Sequence, residues 1–291
     1  HLEVEDLLVL KNNKGTEDNR VRHMDYGVQF NKLMYERLMS GGNITLFSPH
    51  DVPGLYDAFF ADQDEFKRLY EQAERKTSIR KKVISATELF SAFMQERKDT
   101  GRIYLQNVDH ANEHSSFKTE VAPIKQSNLC CEIDLPTKPL NDINDPNGEI
   151  ALCTLSAVNW GSFKNPEDME KACTLAVRGL DALLSYQNYP IIAAQMATEN
   201  RRPLGVGIIN LAFFLAKNDV SYSNPDALKL VDTWAQHWSY YLIKASADLA
   251  VEFGACPKNN ETKYSDGVLP LDTYKKDVDE LVVHIDCVDW T

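Results

Sequence analysis

The sequence lacks an apolar run of about 18 residues, the length that a membrane-spanning helix requires. Its first six residues, HLEVED, have neither the basic start nor the apolar stretch of a secretory signal peptide. Internal repeats and low-complexity tracts are also missing, as is a composition typical of disorder. These absences predict a cytoplasmic globular protein with no membrane segment.

Basic residues are fewer than acidic ones. The chain has 31 Lys and Arg and 43 Asp and Glu, which gives a formal net charge of −12. Sequence-independent binding to a nucleic-acid backbone relies on a basic surface, so nucleic acid is not an expected partner. A small anionic substrate remains compatible with this charge, since a few backbone N–H groups can hold a phosphate.

Cysteine is scarce, with six residues at positions 130, 131, 153, 173, 256 and 287. Their spacing contains no CxxC pair and does not resemble the disulfide framework of a small secreted domain. His110 and His114 have the i, i+4 spacing of metal ligands on a helix, but residues 109–116 are predicted to form a loop. We therefore predict no metal site.

Helical periods alternate with short apolar runs along the chain, which is typical of an α/β fold. The predicted helices cover residues 26–38, 78–98, 166–186 and 227–253. The predicted strands cover residues 43–47, 103–107, 127–135, 149–158 and 204–209. Residues 205–210 begin like a dinucleotide-binding fingerprint but lack its third glycine, so they are interpreted as a close-packed passage from strand to helix.

The predicted strand over residues 127–135 carries the most reactive side chains. Side chains alternate between the two faces of a strand, so Asn128, Cys130 and Glu132 would share one face over about 13 Å. A polar face on a half-buried strand is common, and spacing alone favours that structural interpretation over a catalytic one.

The wording of the segment changes this balance, because NLCCEIDLPT (128–137) resembles the finger-loop segment of class I, aerobic ribonucleotide reductase large subunits. Other segments resemble the same family in the same order: VRHMDY (21–26), LFSP (46–49), DVPGL (51–55), GRIY (101–104) and GEIALC (148–153). The resemblance extends roughly over residues 2–277. It implies that the chain is part of a ten-stranded α/β barrel whose finger loop carries a radical cysteine.

The resemblance also implies roles for individual residues. Cys130 would form the thiyl radical that abstracts the 3′ hydrogen of a ribonucleoside diphosphate, Glu132 would be the base for the 3′ hydroxyl, and Asn128 would hydrogen-bond the sugar. Cys153 would be one member of the cysteine pair that reduces the sugar and closes to a disulfide. Cys131 is interpreted as a packing residue, because the family position usually holds an apolar side chain.

Partners and cofactors follow from the same resemblance. No cofactor is expected on the chain itself, because the radical would come from a small subunit with a diiron-tyrosyl centre and the electrons from thioredoxin or glutaredoxin. The large subunits are expected to form a homodimer. The product, deoxyribonucleoside diphosphate, would serve DNA synthesis.

The family pattern also contains parts that this sequence lacks, including a second reducing cysteine upstream of Cys130. We therefore expect residues 1–291 to be part of one catalytic barrel domain that is incomplete at both ends, with 281–291 as an irregular tail. The rest of the subunit would come from the same gene or from a split gene, and the chain alone would be inactive. Two alternatives stay open: a reductase of the same barrel with another radical generator, or an inactive regulatory paralogue.

Overall fold

The computed structural model describes residues 1–14, 16, 18, 20–273 and 287–290, and the chain divides into two compact units, His1–Pro136 and Thr137–Thr291. The expectation of one barrel domain over 1–291 stays a prediction. Most of the predicted irregular tail, residues 281–286 and 291, lies outside the described residues.

The first unit combines helices with two pairs of strands. Its helices are α1 (Val4–Leu8), α2 (Lys32–Met39), α3 (Leu55–Ala61), α4 (Gln63–Arg75), α5 (Ala86–Thr100) and α6 (Val108–His114). Its strands are β1 (Tyr26–Phe30), β2 (Asn43–Phe47), β3 (Lys81–Ser85) and β4 (Ile103–Asn107). Strand β1 pairs in parallel with β4, and β2 pairs antiparallel with β3.

Two predicted helices of this unit begin later than expected. Asn31 is the N-cap of α2 and its side chain accepts a hydrogen bond from Met34 N, so residues 26–30 form β1 instead of a first helical stretch. Ser85 caps α5 in the same way through Glu88 N, and residues 81–85 form β3. In both places a capping side chain separates a strand from the helix that follows it.

The core of the first unit lies between its sheets and helices. Phe93 of α5 is fully buried and its ring packs against Phe30 of β1, with 5.2 Å between the ring centroids. A second cluster centres on Phe66 and Tyr70 of α4, whose rings are stacked at 5.7 Å. Apolar burial of Phe30 and of Ile103 in the first of these clusters fixes β1 and β4, to which the segment around Cys130 is hydrogen-bonded.

The second unit has one described strand pair and four α-helices among its described residues. The elements are β5 (Thr154–Asn159), α7 (Glu170–Tyr186), α8 (Ile192–Arg201), β6 (Leu204–Ile209), α9 (Leu211–Lys217) and α10 (Pro225–Phe253). Strand β5 pairs in parallel with β6 from Thr154 opposite Leu204 to Asn159 opposite Ile209. The observed strand therefore begins five residues later, and ends one residue later, than the strand predicted over 149–158.

An aromatic cluster forms the core of the second unit. Trp160 is 1% exposed, and its ring lies 5.6 Å from that of Phe214 and 5.9 Å from that of Trp234. These residues join the end of β5 to α9 and α10. The passage from β6 into α9 packs closely against the turn after β5, because a Cβ on Gly161 would meet Asn210 Nδ2 at 2.9 Å and Phe213 at 2.7 Å.

The mixed α/β content agrees with the sequence prediction, whereas the described residues do not form a closed barrel. They contain three two-stranded sheets, ordered β1-β4, β2-β3 and β5-β6. Within the described part of the chain, no helix is long and apolar enough to cross a membrane.

Candidate active site

The segment around Cys130 is a tight loop, so the strand predicted over residues 127–135 is wrong. Ser127 and Asp134 form an isolated antiparallel bridge, and between them Cys131 N donates a hydrogen bond to Asn128 O at 3.0 Å. Cys131 has a φ of +63°, a left-handed conformation outside the extended region of a regular strand. Side chains in this loop therefore do not alternate between two faces.

The Asn128 side chain organises the loop. Its Oδ1 accepts hydrogen bonds from Glu132 N and Ile133 N, both at 3.1 Å. Its Nδ2 donates to Glu132 Oε1 at 2.7 Å. A short amide side chain that bonds nearby backbone groups competes with strand pairing, which explains why the chain turns here.

The loop brings together the three residues predicted to start the reaction, by a turn and not by strand periodicity. Asn128 and Glu132 are directly hydrogen-bonded, and Cys130 lies at the tip between them as an exposed free thiol. An exposed thiol can give its hydrogen atom to an external radical and can then meet a substrate. The adjacent carboxylate can accept a proton.

Polar contacts anchor the base of the loop to the β1–β4 sheet. Ser127 Oγ donates to Ile133 O at 2.8 Å, which closes the loop across its base. Gln106 of β4 donates to Asp134 Oδ1 at 2.7 Å and accepts from Gln29 of β1 at 2.8 Å. Burial raises the pKa of the Asp134 carboxyl, and the hydrogen bond from Gln106 partly opposes that change.

An open cavity of about 470 Å³ lies beside this loop within the first unit. Asn128, Leu129 and Cys131 contribute one part of its lining, and Leu129 is 63% exposed. Three tyrosines line it as well: Tyr26, Tyr56 and Tyr104. Sequence reasoning missed this aromatic set, because its members are far apart along the chain and no local motif connects them.

The Cys131 thiol is in a different environment from its neighbour. It is half-buried and its Sγ lies 4.0 Å from Leu105 O. Burial raises the pKa of the Cys131 thiol, so the protonated form is favoured. A protonated and partly buried thiol supports the interpretation of Cys131 as a packing residue.

Cys153 belongs to the second unit and directly precedes β5. Its thiol is half-buried, with Sγ 4.0 Å from Thr154 O. It lies next to β6, because a Cβ added to Gly205 would be 3.1 Å from the sulfur. The neighbouring strand therefore sets the space that this thiol can occupy.

The remaining cysteines and the histidine pair do not extend the site. Cys173 is buried in α7, where burial raises the pKa of its thiol to about 11. His110 and His114 lie on α6 and not on the predicted loop, with ring centroids 5.9 Å apart. Across the described residues, no group of three or more His, Cys, Asp or Glu side chains could hold a metal ion.

Comparison with known proteins decides the family. Residues 1–290 match the family model described as "Ribonucleotide reductase, barrel domain". The chain belongs to this family. Its match to the family model covers the loop at Cys130 as well as the strand pair next to Cys153.

Individual relatives of this ribonucleotide reductase family agree. The chain is 61% identical to the ribonucleoside-diphosphate reductase subunit alpha of Haemophilus influenzae and 62% identical to the ribonucleoside-diphosphate reductase 1 subunit alpha of Escherichia coli, in each case over 290 residues. Identity to the subunit alpha of Enterobacteria phage T4 is 51% over 295 residues. All of this chain is covered each time, but it spans only 38% of the length of these relatives.

Proposed function

We propose that this chain supplies the radical centre of a ribonucleoside-diphosphate reductase, which converts ribonucleoside diphosphates to deoxyribonucleoside diphosphates for DNA synthesis. The observation that carries the proposal is the loop in which Asn128 and Glu132 are hydrogen-bonded at 2.7 Å on either side of the exposed Cys130. The chain is similar over its full length to relatives that are named ribonucleoside-diphosphate reductase subunit alpha, and these names support the same activity.

The first step is a hydrogen-atom transfer. The Cys130 thiol gives up a hydrogen atom to a radical supplied from outside the chain, and the resulting thiyl radical takes the 3′ hydrogen atom from the ribose. Glu132 accepts the proton of the 3′ hydroxyl, which assists loss of the 2′ hydroxyl as water. Asn128 holds the Glu132 carboxylate in place and hydrogen-bonds the sugar, so the reacting groups are oriented before the step.

The second step consumes reducing equivalents from thiols. Cys153 and a second cysteine, contributed by sequence other than this chain, give two electrons and two protons to the sugar and join as a disulfide. Cys130 then returns a hydrogen atom to C3′. Thioredoxin or glutaredoxin restores the thiols by exchange, which starts with attack of a thiolate on the disulfide.

Several partners belong to this proposal. The radical originates in a small subunit that holds a diiron-tyrosyl centre, and the large subunits pair as a homodimer in the cytoplasm. The remaining part of the large subunit, from the same gene or a split gene, completes a ten-stranded α/β barrel around the Cys130 finger loop. The open edges of the three two-stranded sheets in the described residues support this, since further strands can pair with the unpaired N–H and C=O groups of an open edge.

The direct test is Cys130→Ser in the assembled enzyme. Because a serine hydroxyl does not replace the thiol as a hydrogen-atom carrier, nucleotide reduction should fall below detection while the substrate still binds. Turnover is measured by product formation and binding by equilibrium titration with a ribonucleoside diphosphate.

The matched control is Cys131→Ser, which changes the adjacent cysteine in the same loop. It should retain turnover within a few-fold of the parent enzyme, because the half-buried Cys131 thiol takes no part in the transfer. Retained turnover in Cys130→Ser would remove Cys130 from its role.

A further inference from the structure

The β5–β6 pair has one open face, and Cys153 lies on it. In the parallel register, Leu155 lies opposite Gly205 and Ala157 opposite Gly207. Leu155 is 61% exposed, and Ala157 and Gly207 are exposed as well. A Cβ added to Gly205 would point toward both Leu155 and Cys153, which places the thiol on this same face.

Gly205 leaves room that any larger residue would take from the Cys153 sulfur. Its added Cβ would lie 3.1 Å from Cys153 Sγ and 2.5 Å from Leu155 Cδ2. Non-bonded heavy atoms pack best at roughly 3.5–4.0 Å, so the sulfur would have to move by several tenths of an ångström. The exposed Leu155 side chain can rotate into solvent, whereas Cys153 is half-buried.

Backbone conformation does not explain this glycine. Gly205 is not among the glycines with positive φ, so an alanine could adopt its backbone geometry. Gly207, on the same face of the same strand, provides the contrast. A Cβ there would meet only Ser156 O at 3.9 Å, an ordinary van der Waals contact. The steric restriction is therefore local to the position beside the thiol.

We propose that Gly205 is a positioning residue for Cys153, because its missing side chain allows the thiol to rest against β6 where it reacts. This inference rests on the proposed function, in which Cys153 is one of the two reducing cysteines. It adds Gly205 of β6 to the residues that determine where the reducing thiol lies.

The chemistry explains why a small displacement matters. As the disulfide forms, two thiols lose two electrons and two protons, which replace the 2′ hydroxyl by hydrogen and release one water molecule. The two sulfur atoms must approach to about 2.05 Å with a restricted dihedral angle. A misplacement of about 1 Å at a reacting group can cost roughly 100-fold in rate, so a displacement of about half that size predicts a loss of about tenfold.

The test compares Gly205→Ala with Gly207→Ala in the assembled enzyme. Gly205→Ala should lower kcat about tenfold with KM unchanged, and Gly207→Ala should stay within about twofold. A single turnover without external dithiol provides the second readout. Mass spectrometry should find proportionately less Cys153 disulfide in Gly205→Ala at a fixed reaction time, although the thermal unfolding midpoints of the two variants agree.

A double variant separates the two contacts of the added methyl group. Leu155→Ala combined with Gly205→Ala removes the 2.5 Å contact between the new methyl group and Leu155 Cδ2, so this contact cannot destabilise the fold. The contact between the methyl group and Cys153 Sγ remains. Turnover should remain low in this variant. Recovery to the level of Gly207→Ala would overturn the inference, as would equal rates for the two single variants.

Cys153→Ser distinguishes failure of the inference from failure of the proposed function. Loss of turnover in Cys153→Ser together with a normal Gly205→Ala enzyme would reject Gly205 as a positioning residue only. Full turnover in Cys153→Ser would reject the reducing role of Cys153, and the inference with it.

Discussion

The Asn128 side chain makes four hydrogen bonds within the loop: Oδ1 accepts from Ser127 Oγ and from two backbone N–H groups, and Nδ2 donates to Glu132. The backbone bonds shape the loop, whereas the bond that Nδ2 donates fixes the Glu132 carboxylate. One residue thus links folding of the loop to orientation of the proposed base. The two contributions can be separated, because aspartate retains the acceptor oxygen and loses only the Nδ2–H donor.

Asn128→Asp should therefore keep the loop and alter the base. The new carboxylate would lie within hydrogen-bond distance of Glu132, and like charges at this range raise the pKa of one member of a pair. Protonated Glu132 cannot accept the 3′ hydroxyl proton, so the acidic limb of the kcat–pH profile should move to higher pH. The measurement is kcat between pH 5 and 9 in the assembled enzyme.

Asn141→Asp is a matched control for this prediction. Asn141 Nδ2 donates to Asp145 Oδ2 at 2.7 Å, the same amide–carboxylate geometry in a loop of the second unit. The control should leave the pH profile in place. A profile for Asn128→Asp that superimposes on that of the control would show that Glu132 is not the base.

At the scale of elements, a buried charge cluster ties three segments of the second unit together. Glu149 is 5% exposed and accepts a hydrogen bond from Arg201, the last residue of α8, at 2.8 Å. Lys258, which follows α10, and Lys138 also pair with Glu149. The cluster holds the start of the segment that leads to Cys153 and the end of the helix that leads to β6.

Removing one partner of such a cluster is costly, because it leaves buried charge without full compensation. Arg201→Met should lower the free energy of unfolding at pH 7 by about 3 kcal/mol, the lower end of the range for broken buried pairs, since two lysines remain. Urea unfolding of the chain measures this value. Arg178→Met, which breaks the exposed pair between Arg178 and Glu252, should have a much smaller effect.

The same cluster predicts a dependence on pH. Burial alone would raise the pKa of Glu149, but hydrogen bonds from Arg201 and Lys258 outweigh it and lower the pKa from 4.5 to about 2. A lowered carboxyl pKa contributes stability that is present above pH 4.5 and lost as the pH falls toward 2. Arg201→Met should weaken this dependence, and an unchanged slope between pH 4.5 and 2 would contradict the assignment.

Elements with a strong local signal could be predicted from the sequence. Strands β2, β4 and β6 have the predicted bounds, and the helix predicted over 227–253 differs from α10 by two residues at its start. The α4 helix was missed although Asp62 is its N-cap, with Phe66, Tyr70 and Ala73 on its buried face. The N-cap and the spacing of these buried residues are local features, so α4 can be predicted from the sequence.

The Cys130 loop shows what local patterns do not contain. Alternation on a strand would place Asn128 and Glu132 on one face about 13 Å apart. In the loop the two side chains are instead directly hydrogen-bonded, and their catalytic roles stay a prediction. The anchoring of the loop by Gln106 and Gln29 depends on the pairing of β1 with β4. Contacts between residues 77 positions apart follow from tertiary packing, which periodicity does not encode.

At the scale of the whole molecule, the chain accounts for 38% of the length of its relatives, and its described strands form three separate pairs. Two-stranded sheets have open edges on both sides, where further strands can pair. The proposed chemistry also requires a second reducing thiol in addition to Cys153. The open sheet edges and the proposed chemistry therefore both support the proposal that further large-subunit sequence completes the site.

We expect this chain alone, mixed with the small subunit and a dithiol reductant, to give no measurable nucleotide reduction. Addition of the remaining large-subunit sequence should restore turnover, because it would supply the second thiol and the missing strands. The complete subunit alpha of Haemophilus influenzae, assayed in parallel, shows that the radical source and the reductant are competent. Appreciable product from the 291-residue chain without that addition would mean that Cys153 obtains its partner thiol from within this sequence.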